Sequence, residues 1–297
     1  MDINSLKKLN IGEIKEYVDL KKYTTYKAGG LGRFLVIPDN RDSLIKLLNY
    51  IKKNNLKYKI LGFGSNLIFS DSLYDGILIK LDNLNDVKIN GTEIYAEAGY
   101  SLIKLSLLAA RNSLAGLEFA SGIPGSVGGA IFMNAGAYKS DMGYIVKEVE
   151  VLTPDLEIKI MKNKELDFHY RTSFLQKNKG YICLSCTLSL YKGDKEAIIN
   201  VIRDRKLRRL ESQPLEYPSA GSVFRNPEGD YAGRLIESIG YKGHKIGDAM
   251  VSIKHANFII NAGHAKGDDI KKLILEIQNK VKEEYDIELK VEQEFVD

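Results

Sequence analysis

Two runs in this 297-residue chain combine residue types that can do chemistry. Residues 219–227 read Ser-Ala-Gly-Ser-Val-Phe-Arg-Asn-Pro, which sets Ser222 between a glycine and an apolar pair. A hydroxyl in that setting either caps a turn or is aimed at a substrate. No Gly-x-Ser-x-Gly elbow surrounds it, so a hydrolase nucleophile is not indicated, and a donor serine and a turn-capping serine both remain open. Residues 121–134 read S-G-I-P-G-S-V-G-G-A-I-F-M-N, with four glycines and a proline inside 122–130. A backbone that presses against a phosphate needs residues without Cβ and an array of free N–H groups. Ser121, Gly122, Ile123, Pro124, Gly125, Ser126, Gly128, Gly129 and Ala130 therefore form a candidate diphosphate cradle opening a short helix. The competing reading is a packing loop. No Gly-Lys-Ser/Thr follows, so this is not a P-loop.

Other candidates are weaker alone. Gly62, Phe63, Gly64, Ser65, Asn66 and Leu67 follow a short strand, where open α/β folds bind ligands. They make either a phosphate turn or an ordinary tight turn, and Leu67 stands where a dinucleotide fingerprint would place its third glycine. Arg171, beside Tyr170, is a carboxylate clamp or a surface arginine, since the guanidinium fork matches a carboxylate. Residues 288–295 alternate: Leu289, Val291 and Phe295 face one side, Glu288, Lys290, Glu292 and Glu294 the other. Periodicity does not single out a glutamate, and a solvated face is the default. His255 reads as structural, no metal-ligand spacing is present, and no metal is expected. Cys183 and Cys186 lie in a strand-like segment, 181–190. Residues i and i+3 of a strand point to opposite faces, so two structural thiols in a reducing, cytoplasmic setting are expected rather than a redox pair.

These residues need positioning elements. Helical spacing predicts helices at 42–54 (capped by Asp42 or Ser43), 101–112 (capped by Ser101), 195 to about 211 (capped by Asp194), 231–239 (stopped by Gly240) and 268–284. Strands are expected at 57–61, 67–69 and 76–81, at several places between 146 and 190, and over 287–296. The chain divides into two lobes, 1–191 and 195–297, with subdomains of about 1–81 and 82–191 in the first. No segment reaches the run of about 18 apolar residues that spans a bilayer. The first residues lack the apolar stretch of a secretory signal. A formal charge of +4 gives no case for nucleic acid. The basic run 203–209 is a solvated helix face or meets a substrate phosphate.

Taken in order, Thr25-Tyr26-Lys27-Ala28-Gly29-Gly30, residues 62–67, residues 122–130, Asn134-Ala135-Gly136-Ala137, Tyr170-Arg171, residues 219–227 and Glu292 resemble the UDP-N-acetylenolpyruvoylglucosamine reductase family along nearly the whole chain. The resemblance implies an α+β fold: a two-subdomain FAD-binding domain of the vanillyl-alcohol-oxidase type and a C-terminal α/β substrate domain. It implies non-covalent FAD, NADPH as reductant, a UDP-sugar substrate and a cytoplasmic role in peptidoglycan precursor synthesis, with no nucleic-acid or membrane partner and a monomeric chain. Hydride from flavin N5 would reach C3 of an enol ether, Ser222 would protonate C2, and Arg171 with Glu292 would stabilise the enolate. Residues 62–67 and 121–130 would hold FAD; Tyr170, Arg225 and Asn226 would touch substrate. Arg208, Arg209 and Arg225 are candidates for its diphosphate. Fifty residues separate Arg171 from Ser222, which leaves little room for the extra lobe bearing a substrate-capping tyrosine, so the chain resembles the shorter type. Two rivals remain. A sugar or lactone oxidase of the same superfamily would often carry a flavin-linking His or Cys, and none lies between Gly62 and Asn134. A non-catalytic nucleotide-binding module would not need the Arg171, Ser222 and Glu292 set.

Overall fold

The structure, a computed structural model, describes residues 3–297 as a mixed α and β protein. The α+β expectation is met. The chain forms two compact units: Met1–Glu16 with Phe34–Gly62 and Gly76–Leu207, and Tyr17–Arg33 with Phe63–Asp75 and Arg208–Asp297. The units do not follow the linear division at 191–195. The physical reason is core membership: Tyr26, Ala28 and Ile68 are buried in the same apolar cluster as Phe224, Ile259, Leu273 and Leu289.

The first unit is built on a five-stranded antiparallel sheet in the order Ile158–Lys162, Val146–Leu152, Ile182–Ser189, Glu93–Glu97, Val87–Asn90. Its centre, Ile182–Ser189, is buried at nearly every position, as a strand covered on both faces must be. Helices Leu102–Arg111 and Val127–Met133 contribute Leu102, Leu105, Val127 and Ile131 to the same core. In the same unit, strand Tyr58–Leu61 pairs in parallel with residues 77–80.

Most helix ends follow the capping chemistry read from the sequence. The Ser101 hydroxyl accepts the Lys104 N–H, and the Asp194 carboxylate accepts the Ala197 N–H at 2.8 Å. Helix Arg41–Lys53 departs: its cap is Asn40, whose side chain accepts the Ser43 N–H at 3.0 Å, because Asp42 and Ser43 are already helical. Helix Lys195–Ser212 buries only Ile198, so residues 203–207 of the basic run lie on a solvated helix face, with Arg205 over the Tyr138 ring at 4.7 Å.

Cys183 and Cys186 are two buried structural thiols as expected, but the expectation that they face opposite sides of the strand is corrected. Cys183 pairs with Val151 and Cys186 with Val149, and a register shift falls between these pairs. Val149 and Val151 share a face, so the bulge brings both thiols to that same face. Both are buried and free, and burial pushes the Cys183 thiol up to about 12, which keeps it unreactive.

In the second unit, helix Gly267–Tyr285 packs Ile270, Leu273, Ile274, Ile277 and Val281 into the core. The expected closing strand over 287–296 is shorter. Only Glu294–Val296 is a strand, parallel to Leu67–Phe69, while Val291 makes one isolated bridge with Phe224. A run that changes partner midway cannot remain a single ladder. Among the described residues no helix is long and apolar enough to cross a membrane.

Candidate active site

Within the first unit, residues 121–130 begin in a 3-10 turn, Glu118–Gly122, with the Ser121 hydroxyl donating to the Glu118 carbonyl at 2.9 Å. Ile123 packs on the core and Pro124 is exposed. Ser126 caps helix Val127–Met133, accepting the Gly129 N–H at 3.3 Å. The Val127 N–H donates to the Tyr100 carbonyl and that of Gly128 to Ala98, so the first three N–H groups of this helix are committed. The sequence reading had offered them to a phosphate. What the loop keeps is earlier: among the described residues, no backbone carbonyl takes the N–H of Gly125 or Ser126. Gly62 lies against this point, where a Cβ would come within 2.8 Å of Ser126 Oγ. Two uncommitted donors beside a glycine at close approach fit a diphosphate. Gly128 has a packing reason instead, since a Cβ there would meet that of Ala98 at 2.9 Å, and Ala130 is buried.

The same unit holds Arg171. His169 and Thr172 exchange backbone hydrogen bonds of 3.0 Å each way, and Tyr170–Arg171 make the turn between them. Arg171 has φ +54, at the position where such a turn can require a left-handed residue. Its Nη2 donates to the Gly136 carbonyl at 2.7 Å, and its guanidinium carbon lies 5.1 Å from the centre of the exposed Tyr170 ring. Asn134, buried and itself left-handed, supports the turn: its Nδ2 donates to the His169 carbonyl at 2.8 Å and its Oδ1 accepts the Gly143 N–H.

The second unit holds the rest. Phe63 is exposed, Ser65 half-buried, and Leu67 opens strand Leu67–Phe69. Gly64 has φ +65, and a Cβ there would overlap the Tyr23 carbonyl, so this glycine is required by packing. Asn66 joins the turn to the C-terminal segment: its Nδ2 donates to the Glu292 carbonyl at 3.1 Å, and its own carbonyl accepts the Glu294 N–H. The half-buried Glu292 donates its N–H to the Val223 carbonyl at 2.8 Å. Ser222 and Glu292 are thereby brought onto adjacent segments of one unit; Arg171 belongs to the other. Arg225 is half-buried with its N–H on the Lys290 carbonyl, and Asn226 Oδ1 accepts the Ala232 N–H at 3.1 Å, capping helix Ala232–Ser238.

Sequence reasoning missed the buried amides that hold these segments. Asn257 brackets Phe224, taking its N–H at 3.0 Å and donating to its carbonyl at 2.8 Å. Gln293, 4% exposed, donates to the carbonyls of residues 220–222 and accepts from the Tyr26 hydroxyl. The available signal was a polar residue on the apolar face of the 289–295 alternation. Among the described residues, no group of three or more His, Cys, Asp or Glu could hold a metal.

Comparison with known proteins finds matches along the whole chain. The family model described as "UDP-N-acetylenolpyruvoylglucosamine reductase, C-terminal domain" matches residues 213–296, and the one described as "FAD binding domain" matches 33–161. The UDP-N-acetylenolpyruvoylglucosamine reductase of Halalkalibacterium halodurans is 43% identical over 99% of this chain and 98% of its own length. That of Bacillus subtilis is 40% identical over 99% and 97%. The crystal structure of the Thermus caldophilus reductase superposes with a TM-score of 0.81 at 35% identity, covering 96% of this chain and 98% of that one. The FAD-binding and C-terminal matches, with relatives similar from end to end, make the chain a member of the UDP-N-acetylenolpyruvoylglucosamine reductase family, an FAD-dependent oxidoreductase.

Proposed function

We propose that the protein catalyses the NADPH-dependent reduction of UDP-N-acetylenolpyruvoylglucosamine to UDP-N-acetylmuramate, as a monomer in the cytoplasm, for peptidoglycan precursor synthesis. Residues 1–191 supply the FAD-binding domain and 195–297 the substrate domain, whose core also takes in residues 17–33 and 63–75. Residues 62–67 and 121–130 would hold FAD non-covalently, the Gly125 and Ser126 N–H groups being available to its diphosphate. When bound, FAD would supply the two-electron redox chemistry that couples NADPH to the enol ether. The chain's residues manage charge and protons. Arg171 stabilises the negative charge that builds on the substrate carboxylate as C3 is attacked, with Glu292 serving as a proton-bearing or hydrogen-bonding group. The Ser222 hydroxyl delivers a proton to C2; a serine is a weak acid, adequate towards a strongly basic carbon. The balance is NADPH, one proton and the enol ether in, NADP⁺ and the lactyl ether out. Tyr170, Arg225 and Asn226 contact substrate.

The observation that carries this reading is the bond from the Glu292 N–H to the carbonyl of Val223, which ties the serine and glutamate segments together. The test is anaerobic and uses colour. The purified protein is expected to be yellow, to bleach with NADPH, and to recover its colour with the enolpyruvyl UDP-sugar but not with simple sugars. Colourless protein that takes up no FAD, or recovery with simple sugars alone, contradicts the reading.

A further inference from the structure

We propose that Gln293, backed by Tyr26, is the positioning residue that aims Ser222, an inference that rests on reading Ser222 as the proton donor. Gln293 occupies a place where the alternation of Leu289, Val291 and Phe295 calls for an apolar side chain. Its Nε2 lies 3.1, 3.3 and 3.3 Å from the carbonyl oxygens of Ala220, Gly221 and Ser222. Three consecutive carbonyls converge on one nitrogen because Gly221 has φ +76, a conformation open to glycine. Carbonyls only accept, so the amide nitrogen must face them and Oε1 must face away. There it accepts the Tyr26 hydroxyl at 2.9 Å. Tyr26 is 1% exposed, and its own carbonyl is held by Asn261 Nδ2 at 3.0 Å.

The amide thus has one workable orientation, fixed from behind by a phenol and spent in front on the serine's own peptide. Gln293 is also the residue after Glu292, whose N–H and carbonyl are fixed by Val223 and Asn66. Backbone bonds from the Glu292 N–H to Val223 and from the Arg225 N–H to Lys290 set the register of the two segments, and the Gln293 side chain adds the tie to the peptides of residues 220–222. An apolar residue at 293 would take its donor from the buried Ala220 carbonyl and from the half-buried carbonyls of Gly221 and Ser222, and the loop would relax to replace it. Placement errors of about 1 Å are enough to slow a reaction about 100-fold.

The test uses FAD-loaded Gln293→Met, which keeps length and flexibility but removes the donor, and Tyr26→Phe, which removes one oxygen. NADPH should reduce the flavin of both within about twofold of the parent. Reoxidation by the enolpyruvyl UDP-sugar should slow about 10- to 100-fold in Gln293→Met and by less in Tyr26→Phe, with a larger solvent deuterium effect. Amide exchange should rise in the peptide covering 219–226 and stay unchanged elsewhere. Equal losses in both half-reactions with exchange rising throughout would make Gln293 a packing residue and overturn the proposal. So would unchanged reoxidation and exchange. Should Gln293→Met fail to fold, Tyr26→Phe decides alone, and its unchanged reoxidation refutes the proposal. Ser222→Ala, run beside them, separates the two ideas. If it slows reoxidation and the other variants do not, only the clamp fails; if it does not, the serine reading fails and takes the clamp with it.

Discussion

Arg171 holds a conformation its side chain disfavours. A left-handed backbone at a non-glycine residue costs about 1–3 kcal/mol and persists only where its surroundings impose it. Here they do so through the paired backbone bonds of His169 and Thr172, the Asn134 amide on the His169 carbonyl and the Gly136 carbonyl on the guanidinium. Such strain is retained when it presents a group that is needed. Replacing Arg171 by glycine removes both strain and guanidinium. Stability should stay within about 1 kcal/mol of the parent, because relief offsets lost contacts, while turnover falls about 100-fold or more. Urea unfolding and steady-state rates check this, and retained turnover would remove Arg171 from the mechanism. The arginine was legible in the sequence as a type and a position, but its backbone was not. Tyr170-Arg171 carries none of the Asn or Gly signals of a left-handed turn, and neither does Tyr138-Lys139, where both residues also have positive φ. The buried amides were hidden for a related reason: a lone Gln or Asn reads as surface until its burial is known.

At the scale of elements, two glycines in helices do opposite work. Gly267 opens helix Gly267–Tyr285 against strand Leu67–Phe69, and a Cβ there would overlap the Phe69 carbonyl. Its N–H and that of Asp268 donate to the Asp71 carboxylate at 3.2 and 3.0 Å, so helix start and strand end are locked together. Gly233 lies inside helix Ala232–Ser238, where a Cβ would meet His255 Cε1 at an ordinary 3.7 Å. Gly267→Ala should therefore destabilise by about 3 kcal/mol or more, as overpacking against backbone does. Gly233→Ala should stabilise by about 0.5–1 kcal/mol through helix propensity. Denaturant midpoints at constant slope test the pair, and equal effects would contradict the packing account. Helix positions and most caps were legible because they depend on local chemistry at Ser101, Asp194 and Gly240. The 287–296 segment was not, because alternation shows which side is apolar and not which partner each residue finds. The bulge that brings Cys183 and Cys186 to one face is likewise a property of pairing between strands.

For the whole molecule, order along the chain and order in space diverge. Residues 17–33 and 63–75 lie early in the sequence yet share a core with 208–297. Composition changes little at these crossings, so the sequence showed a boundary near 191–195 and not the return of early segments to the later core. The motif residues were more legible than the fold, since glycines, an arginine, a serine and a glutamate in a fixed order carry a resemblance without stating their contacts. In the proposed reaction the chain reduces an enol ether with Ser222 as proton donor. Rapid-mixing measurement of the two half-reactions in Ser222→Ala, loaded with FAD, tests it most directly. NADPH should bleach this variant at close to the parent rate, while reoxidation by the enolpyruvyl UDP-sugar should slow by about 100-fold or more. Reoxidation at the parent rate, or loss of both half-reactions together, would contradict it.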